Sequence, residues 1–416
     1  MNIARSFLTG LLRTAGLALV AALAIGPADI GHAREPAPFR LDDERTGRPY
    51  SYGNREYIHR QTFRFRSQEQ RRWEANPSGF RTTFGSRRSK EFFAIADFRN
   101  VWDLEPWLDV DARFSRAEDF DGRYDRFLTG IGIRPSETVR IAALGDIVAE
   151  KCDIDMHLET VWTINTRHRV RLTAVAVDAM YLSKAYEGYY HTTPYTFFGQ
   201  YTGRPWNRMV LNLWGNVNPN LSYEHFDDAT LFGYRQTDAG LAVTFPVGHD
   251  WSATFDGKLT QSDRSWESLE NGGERGTLSR QFHEIGAELW REPKDALSGW
   301  LGMRHISLDE TLSGLAPGHA DVRIETMVHG GVLLPLPRWR AVFWPGLYFS
   351  FLEKNERSGQ GDPDRSEPSS GTGVLKAAFP VEFAFAQGKT LTLNVTFVSD
   401  DRTGFGGGNI QGVFPF

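Results

Sequence analysis

The stretch Thr390-Leu391-Thr392-Leu393-Asn394-Val395-Thr396-Phe397 alternates without a break. Leu391, Leu393, Val395 and Phe397 fall on one face, and Thr392, Asn394 and Thr396 on the other. A period of two belongs to a strand with one apolar and one polar side, and a helix cannot satisfy it. Phe379-Pro380-Val381-Glu382-Phe383-Ala384-Phe385 repeats the pattern with Glu382 on the polar side, and Ala386-Gln387-Gly388-Lys389 supplies a tight turn between them. Similar hairpins recur upstream. Turns are expected at residues 134–137, 165–168, 215–219, 246–250, 291–295 and 334–337, each between two alternating runs. More polar connections are expected to be long loops at 261–279, 311–320 and 354–371.

The polar face carries charge as well as hydroxyls. Asp109, Asp111 and Arg113 alternate with Leu108, Val110, Ala112 and Phe114; Asp153, Asp155, His157 and Glu159 alternate with Ile154, Met156 and Leu158. A soluble sandwich alternates too, so the number of strands decides between architectures. About eighteen are counted from near Gln61, with sixteen as the alternative, and no long helical segment interrupts them. Two soluble β domains would need a linker, which the chain does not show. The reading is an all-β fold, a transmembrane antiparallel up-and-down barrel with short periplasmic turns and long extracellular loops. Trp107, Trp251, Trp290 and Trp339 flank turns, where an interfacial girdle is expected.

The remaining composition fits export. Arg5 and Arg13 precede a short apolar run at 15–26, and Gly31-His32-Ala33 offers small residues for cleavage after Ala33. Residues 1–33 are therefore expected to be a signal peptide, 34–59 a polar periplasmic extension, and 60–416 the barrel. Cys152 is the single cysteine, which excludes an intrachain disulfide, and no later stretch is apolar enough for a membrane helix. Net charge is −5, which gives no reason to expect nucleic acid as a partner. No GxSxG, HExxH, CxxC, CxxCH or glycine-rich phosphate loop occurs, so no enzyme and no cofactor is expected.

On these features residues 60–416 resemble bacterial outer-membrane β-barrel proteins of the porin-like kind. Phe416, Phe414 and Ile410 match the alternating, aromatic-ended last strand of that family, while Pro415 departs from it by lacking an N–H. The resemblance implies an outer-membrane location in a Gram-negative bacterium, with lipid and the barrel-assembly machinery as partners. It makes Phe414 and Phe416 the C-terminal assembly signal and small hydrophilic solutes the cargo. A homo-oligomer or a periplasmic partner is compatible with it. The function expected is passive diffusion through a charged lumen; the alternatives are a conduit or sheath of an export or electron-transfer system and, less favoured, a barrel-rim hydrolase.

Candidate pore-lining residues are the polar-face charges: Asp109, Asp111, Arg113, Arg140, Asp146, Asp153, Asp155, His157, Glu159, Asp256, Lys258, Glu284, Glu288, Arg304, Arg323, Glu325, Arg340 and Glu382. Facing lipid near the midplane, each Arg or Lys would cost about 2–4 kcal/mol. Facing a wet lumen they set ion preference. Alternatively, they pair with one another and brace the wall. The run Asp153-x-Asp155-x-His157-x-Glu159 brings metal to mind, but residues spread along a strand converge poorly on one ion, and no metal is expected. The aromatic stretch 185–205 is expected to be a loop, folded into the lumen or packed on the rim.

Overall fold

The computed structural model describes residues 78–87, 91–119, 122–147, 154–176, 184–185, 188–190, 195–206, 209–225, 230–269, 275–291, 297–314, 319–358, 370–386, 389–399 and 405–415. The expected signal peptide and polar extension, Asp153 and Phe416 lie outside these residues.

Among the described residues most of the alternating runs are strand, and the run expected to begin near Gln61 lies outside them. The segments are β1 (Gly79–Arg87), β2 (Glu91–Glu105), β3 (Leu108–Asp119), β4 (Gly122–Ser136), β5 (Val139–Ile147), β6 (Ile154–Asn165) and β7 (His168–Ala176). Next come β8 (Lys184–Ala185), β9 (Gly188–Tyr190), β10 (Tyr195–Gly203), β11 (Val210–His225), β12 (Thr230–Pro246), β13 (Trp251–Ser268) and β14 (Arg275–Arg291). The chain continues through β15 (Ser298–Ser313), β16 (His319–Leu336), β17 (Ala341–Phe343), β18 (Gly346–Ser358), β19 (Ser370–Ala378), β20 (Val381–Ala384), β21 (Thr390–Val398) and β22 (Phe405–Pro415).

Each wall strand pairs antiparallel with its neighbours, and β1 pairs with β22 from Gly79↔Pro415 to Arg87↔Gly407, closing the ring. The result is a closed barrel of 18 strands. β17 with β18, and β19 with β20, each form one wall strand, interrupted at Trp344-Pro345 and at Phe379-Pro380, where proline has no N–H for the ladder. β8 and β9 form a small hairpin outside the ring order, with β9 pairing the far end of β11. Closure matters because each backbone group left unpaired in hydrocarbon costs several kcal/mol. The described strands close the ring from Gly79 to Pro415, and residues 60–77 lie outside the described residues.

Three expectations change. Residues 215–219 form no turn: β11 runs through them, and its register shifts between Asn218 and Leu221. Pro219 sits in that irregularity, the position a strand offers a residue without an N–H. Most of 195–205 is wall strand β10 rather than loop. The polar stretches 261–279 and 311–320 are largely strand as well, since β13 runs to Ser268, β14 starts at Arg275 and β16 at His319. Cross-strand polar pairs add to the ladder there: Ser279 Oγ donates to Asp263 at 2.8 Å, and Arg275 bonds Glu267 at 2.5 Å.

The two ends of the barrel differ in the length of their connections. At the end holding Gly79 and Pro415, connections are short, as at 106–107, 137–138, 166–167 and 247–250. At the other end 88–90 and 120–121 are short, but 148–153, 177–194 (which includes β8 and β9) and 359–369 are longer. β11 to β16 are the longest strands of the wall among the described residues, at 16 to 18 residues each.

Outward rows are apolar and exposed: Ile131 and Ile133, Met156 and Leu158, Ile285, Leu301 and Met303, Leu347, Phe349 and Phe351, Leu393, Val395 and Phe397. Their sequence neighbours point inward and are buried, with Asp109, Glu159, Glu284, Glu325 and Lys376 among them. Trp107, Trp251 and Trp339 are exposed near the short turns, as a girdle requires. Trp290 is not part of it. It is buried and inward, stacked on Trp300 with ring centroids 5.3 Å apart, in a cluster with Leu333 and Trp344. At the seam, Phe414 shares the outward parity of the exposed Ile410 and stacks on Phe80 with centroids 6.3 Å apart.

Candidate functional site: the charged inner wall

The inner wall gathers the charges of distant sequence segments into two networks. In the first, Asp109, Asp111 and Arg113 stand two residues apart on β3 and so share one face. Arg140 reaches them from β5. Its Nη2 is 2.5 Å from Asp109 Oδ1 and 3.1 Å from Asp111 Oδ2. Arg113 Nη2 lies 2.6 Å from Asp111 Oδ2 and 3.2 Å from Glu159 Oε1 on β6. Glu159 also receives Arg140 Nη1 at 3.4 Å and the guanidinium of Arg171 from β7. Arg134 at the end of β4 bridges Asp109 at 3.0 Å and the exposed Asp103 at 2.6 Å. Two-pronged contacts of this kind match the guanidinium fork to the carboxylate.

The span from β3 to β5 is open because the intervening strand β4 places Gly132 beneath the pair. A Cβ there would stand 2.7 Å from Arg140 Nη2. The second network repeats the device. Arg304 on β15 reaches across β14 to Asp256 on β13, with Nη1 3.0 Å from Oδ2, and also bonds Glu284 on β14. Beneath that bridge lies Gly286, where a Cβ would be 2.8 Å from Asp256 Oδ1 and 3.0 Å from Arg304 Nη2. Glu288 accepts the indole N–H of Trp290 at 2.9 Å, and Glu325 accepts the hydroxyl of Ser350 at 2.5 Å. Lys258 lies over the Trp214 and Phe282 rings, 6.0 and 5.8 Å from their centroids.

Of the other candidates, Asp155 and His157 are buried on the inner face of β6, and Glu382 on that of β20. Among the described residues no three His, Cys, Asp or Glu side chains converge on a metal position. Asp146 lies on β5 and Arg323 on β16. Arg340 is misplaced by the sequence reading. It closes the 3-10 turn Pro337–Trp339 in the left-handed conformation, φ 51°, and is exposed, so it belongs to the turn and not to the wall. Arg134 and Arg171 were missed. Arg134 was absorbed into an expected turn; Arg171 alternates with Val170 and Leu172 and was legible by the same rule as its partners.

Sequence reasoning also passed over a polar ladder on β10 to β13, made of amides and hydroxyls with the carboxylate of Asp238. Gln200 Nε2 donates to Asn212 Oδ1 at 3.1 Å, Gln236 Nε2 to Asp238 Oδ2 at 2.8 Å, and Thr260 Oγ1 to Asp238 Oδ1 at 2.6 Å. Amides and hydroxyls on an alternating strand look like ordinary solvent-side residues, and only the ring turns them inward.

A closed ring, apolar outside and charged within, defines a transmembrane β-barrel with a polar interior. No family model matches the chain, and no curated protein does. Among solved structures it is similar to OccAB3 of Acinetobacter baumannii, at 9% identity over 81% of this chain and 98% of that one, TM-score 0.43. It is also similar to OprD of Pseudomonas aeruginosa, at 11% identity over 81% and 94%, TM-score 0.41. OmpT, an outer membrane protein of Vibrio cholerae, aligns at 8% identity over 80% and 96%, TM-score 0.38. With likenesses this distant, the class rests on the ring itself.

Proposed function

We propose that this barrel is a porin-like channel of the outer membrane of a Gram-negative bacterium, passing small hydrophilic solutes by passive diffusion. The observation that carries the reading is a closed ring with exposed apolar rows on its outside and buried charged side chains on its inside. Eighteen strands belong to the size class whose interior holds an aqueous channel. The short-turn end, where both Gly79 and Pro415 lie, faces the periplasm in this reading, and the extended β11 to β16 face outward from the cell. Residues 1–33 direct export and are removed, and the Phe414-bearing last strand presents the signal for assembly. Transport involves no catalytic step and no cofactor.

A second reading, a sheath or conduit around a partner, draws on the apolar clusters inside the ring: Phe282 with Ile306 and Leu308, and Trp290 with Trp300, Leu333 and Trp344. A plain aqueous pore has no need of them. Reconstitution of the mature chain in planar bilayers separates the two. Steady ohmic steps in potassium chloride are expected of the channel, whereas a silent bilayer with correctly folded protein would rule out free diffusion and leave the sheath.

A further inference from the structure

The two sides of the lumen differ in how much water their long side chains meet. On the β3–β7 side, Arg113, Arg134, Arg140 and Arg171 keep 16–28% of their side-chain surface exposed. On the β14–β20 side the inward side chains are more enclosed: Arg304 keeps 12%, while Tyr348 is 5% exposed and Lys376 only 2%. An 18-strand ring is wide enough to hold an aqueous channel, and a bare wall facing it would leave side chains of this length wet. Their burial calls for an occupant on that side.

The enclosed side also states what would fit it. Near the short turns it is apolar, with Trp290, Trp300, Leu333 and Trp344 in one cluster. From there up to the level of Glu284 and Glu325, the described inward side chains include four carboxylates, Glu284, Glu288, Glu325 and Glu382. Against them stand two cations, Arg304 and Lys376, so four against two leaves an excess of two negative charges. A complementary occupant brings rings or aliphatic groups together with a surplus of positive charge.

The chain carries such a segment just before β1. Residues 55–72 hold six arginines against two glutamates, a net charge of +4, and Phe63-Arg64-Phe65-Arg66 alternates ring and cation. Gly79, where β1 starts, lies at the short-turn end beside Pro415. Arg72 is seven residues from Gly79, a reach of roughly 24 Å at about 3.4 Å per residue. Round the ring, β16 stands five strands from β1, an arc of roughly 24 Å at about 4.8 Å per strand. We infer that residues 55–72 dock inside the ring against the β14–β20 wall, arginines to its carboxylates and rings to its indoles, and leave the β3–β7 side to water. The inference goes beyond the channel reading and holds whatever crosses the space that remains.

Limited trypsin digestion of the folded, detergent-solubilised full mature chain tests it, because trypsin cuts after accessible arginines and the chain carries its own control. Arg40 and Arg45 precede the docking segment and are expected to be cut quickly, whereas Arg60, Arg64, Arg66, Arg71 and Arg72 resist, so that the product begins at Thr46. In the full-length variant Arg64→Ser, Arg66→Ser, cleavage after Arg60, Arg71 and Arg72 is expected to be about tenfold faster, the scale of two lost ion pairs. Heat-modifiable gel migration verifies that the variant has folded. If it has not, Glu288→Gln with Glu382→Gln removes charge from the wall instead, with the same acceleration expected. A wild-type product that begins at Trp73 as fast as at Thr46 overturns the inference, and so does protection that is equal in wild type and variant. The readout needs no ion current, so its outcome stands apart from the bilayer test of the channel.

Discussion

Four guanidinium groups, those of Arg113, Arg134, Arg140 and Arg171, interlock with Asp103, Asp109, Asp111 and Glu159 in the β3–β7 wall. In the β13–β15 wall the guanidinium of Arg304 bridges Asp256 and Glu284, while Arg280 pairs separately with Glu310. Both bridges cross an intervening strand over a glycine, Gly132 in the first and Gly286 in the second. The geometry is shared, and the distribution of charge is not. Where Asp109, Asp111 and Glu159 each have more than one cation, losing a single arginine leaves the others to close the gap. Where one guanidinium spans two carboxylates on different strands, its loss removes both contacts at once. A braced wall can therefore be redundant in one sector and depend on a keystone in another.

Replacing that keystone is expected to have the largest effect. Arg304→Ala should destabilise the barrel by about 3–5 kcal/mol, the range for breaking one side of a buried pair. Urea unfolding in detergent micelles measures it, and reversal potentials in a salt gradient should move toward cation preference. A loss below about 1 kcal/mol would show that Asp256 and Glu284 are hydrated and need no bridge.

One position away on β14, Ile285 points the other way and is exposed. Ile285→Arg should cost about 2–4 kcal/mol if that row meets hydrocarbon, as for an arginine near the bilayer midplane. The free energy of folding into lipid vesicles checks it, and a neutral result would place the row outside the membrane.

The glycine floors come next. Gly132→Val and Gly286→Val should each cost about 1–3 kcal/mol by overpacking. Combined with Arg304→Ala in a double-mutant cycle, Gly286→Val should lose most of its effect, while Gly132→Val should remain additive. Additivity for both would separate the glycines from the bridges above them.

The smallest effect is expected at Arg171→Gln, because Arg113 and Arg140 continue to serve Glu159. About 1 kcal/mol or less should be lost, with little change in ion preference. A loss matching that of Arg304→Ala would end the contrast between the two sectors.

Much of the wall was readable in advance. Thr390 to Phe397 became β21, and the alternation at Leu108 to Phe114 became the inner and outer faces of β3. Failures cluster where a local signal was met by a long-range partner. Residues 215–219 carry turn-forming Gly, Asn and Pro, but β10 and β12 on either side hold the segment as strand. The polar stretch 261–279 lacks apolar alternation, and neighbours such as Ser279 against Asp263 keep it paired. Trp290 looked like a girdle residue from its place beside a turn, yet its parity along β14 turns it inward onto Trp300.

By itself, the sequence determined that the chain is a succession of two-faced strands and which side chains share a face. Side-chain direction along an extended backbone has a period of two, whatever the neighbours are. It did not determine that Arg140 meets Asp109, that Arg304 spans Gly286 to reach Asp256, or that β1 zips onto β22. Those contacts join residues 29 or more positions apart, and they depend on register. A shift of one residue would turn every inward charge toward lipid, so only the closed ring, with its strands in register, decides which charges meet.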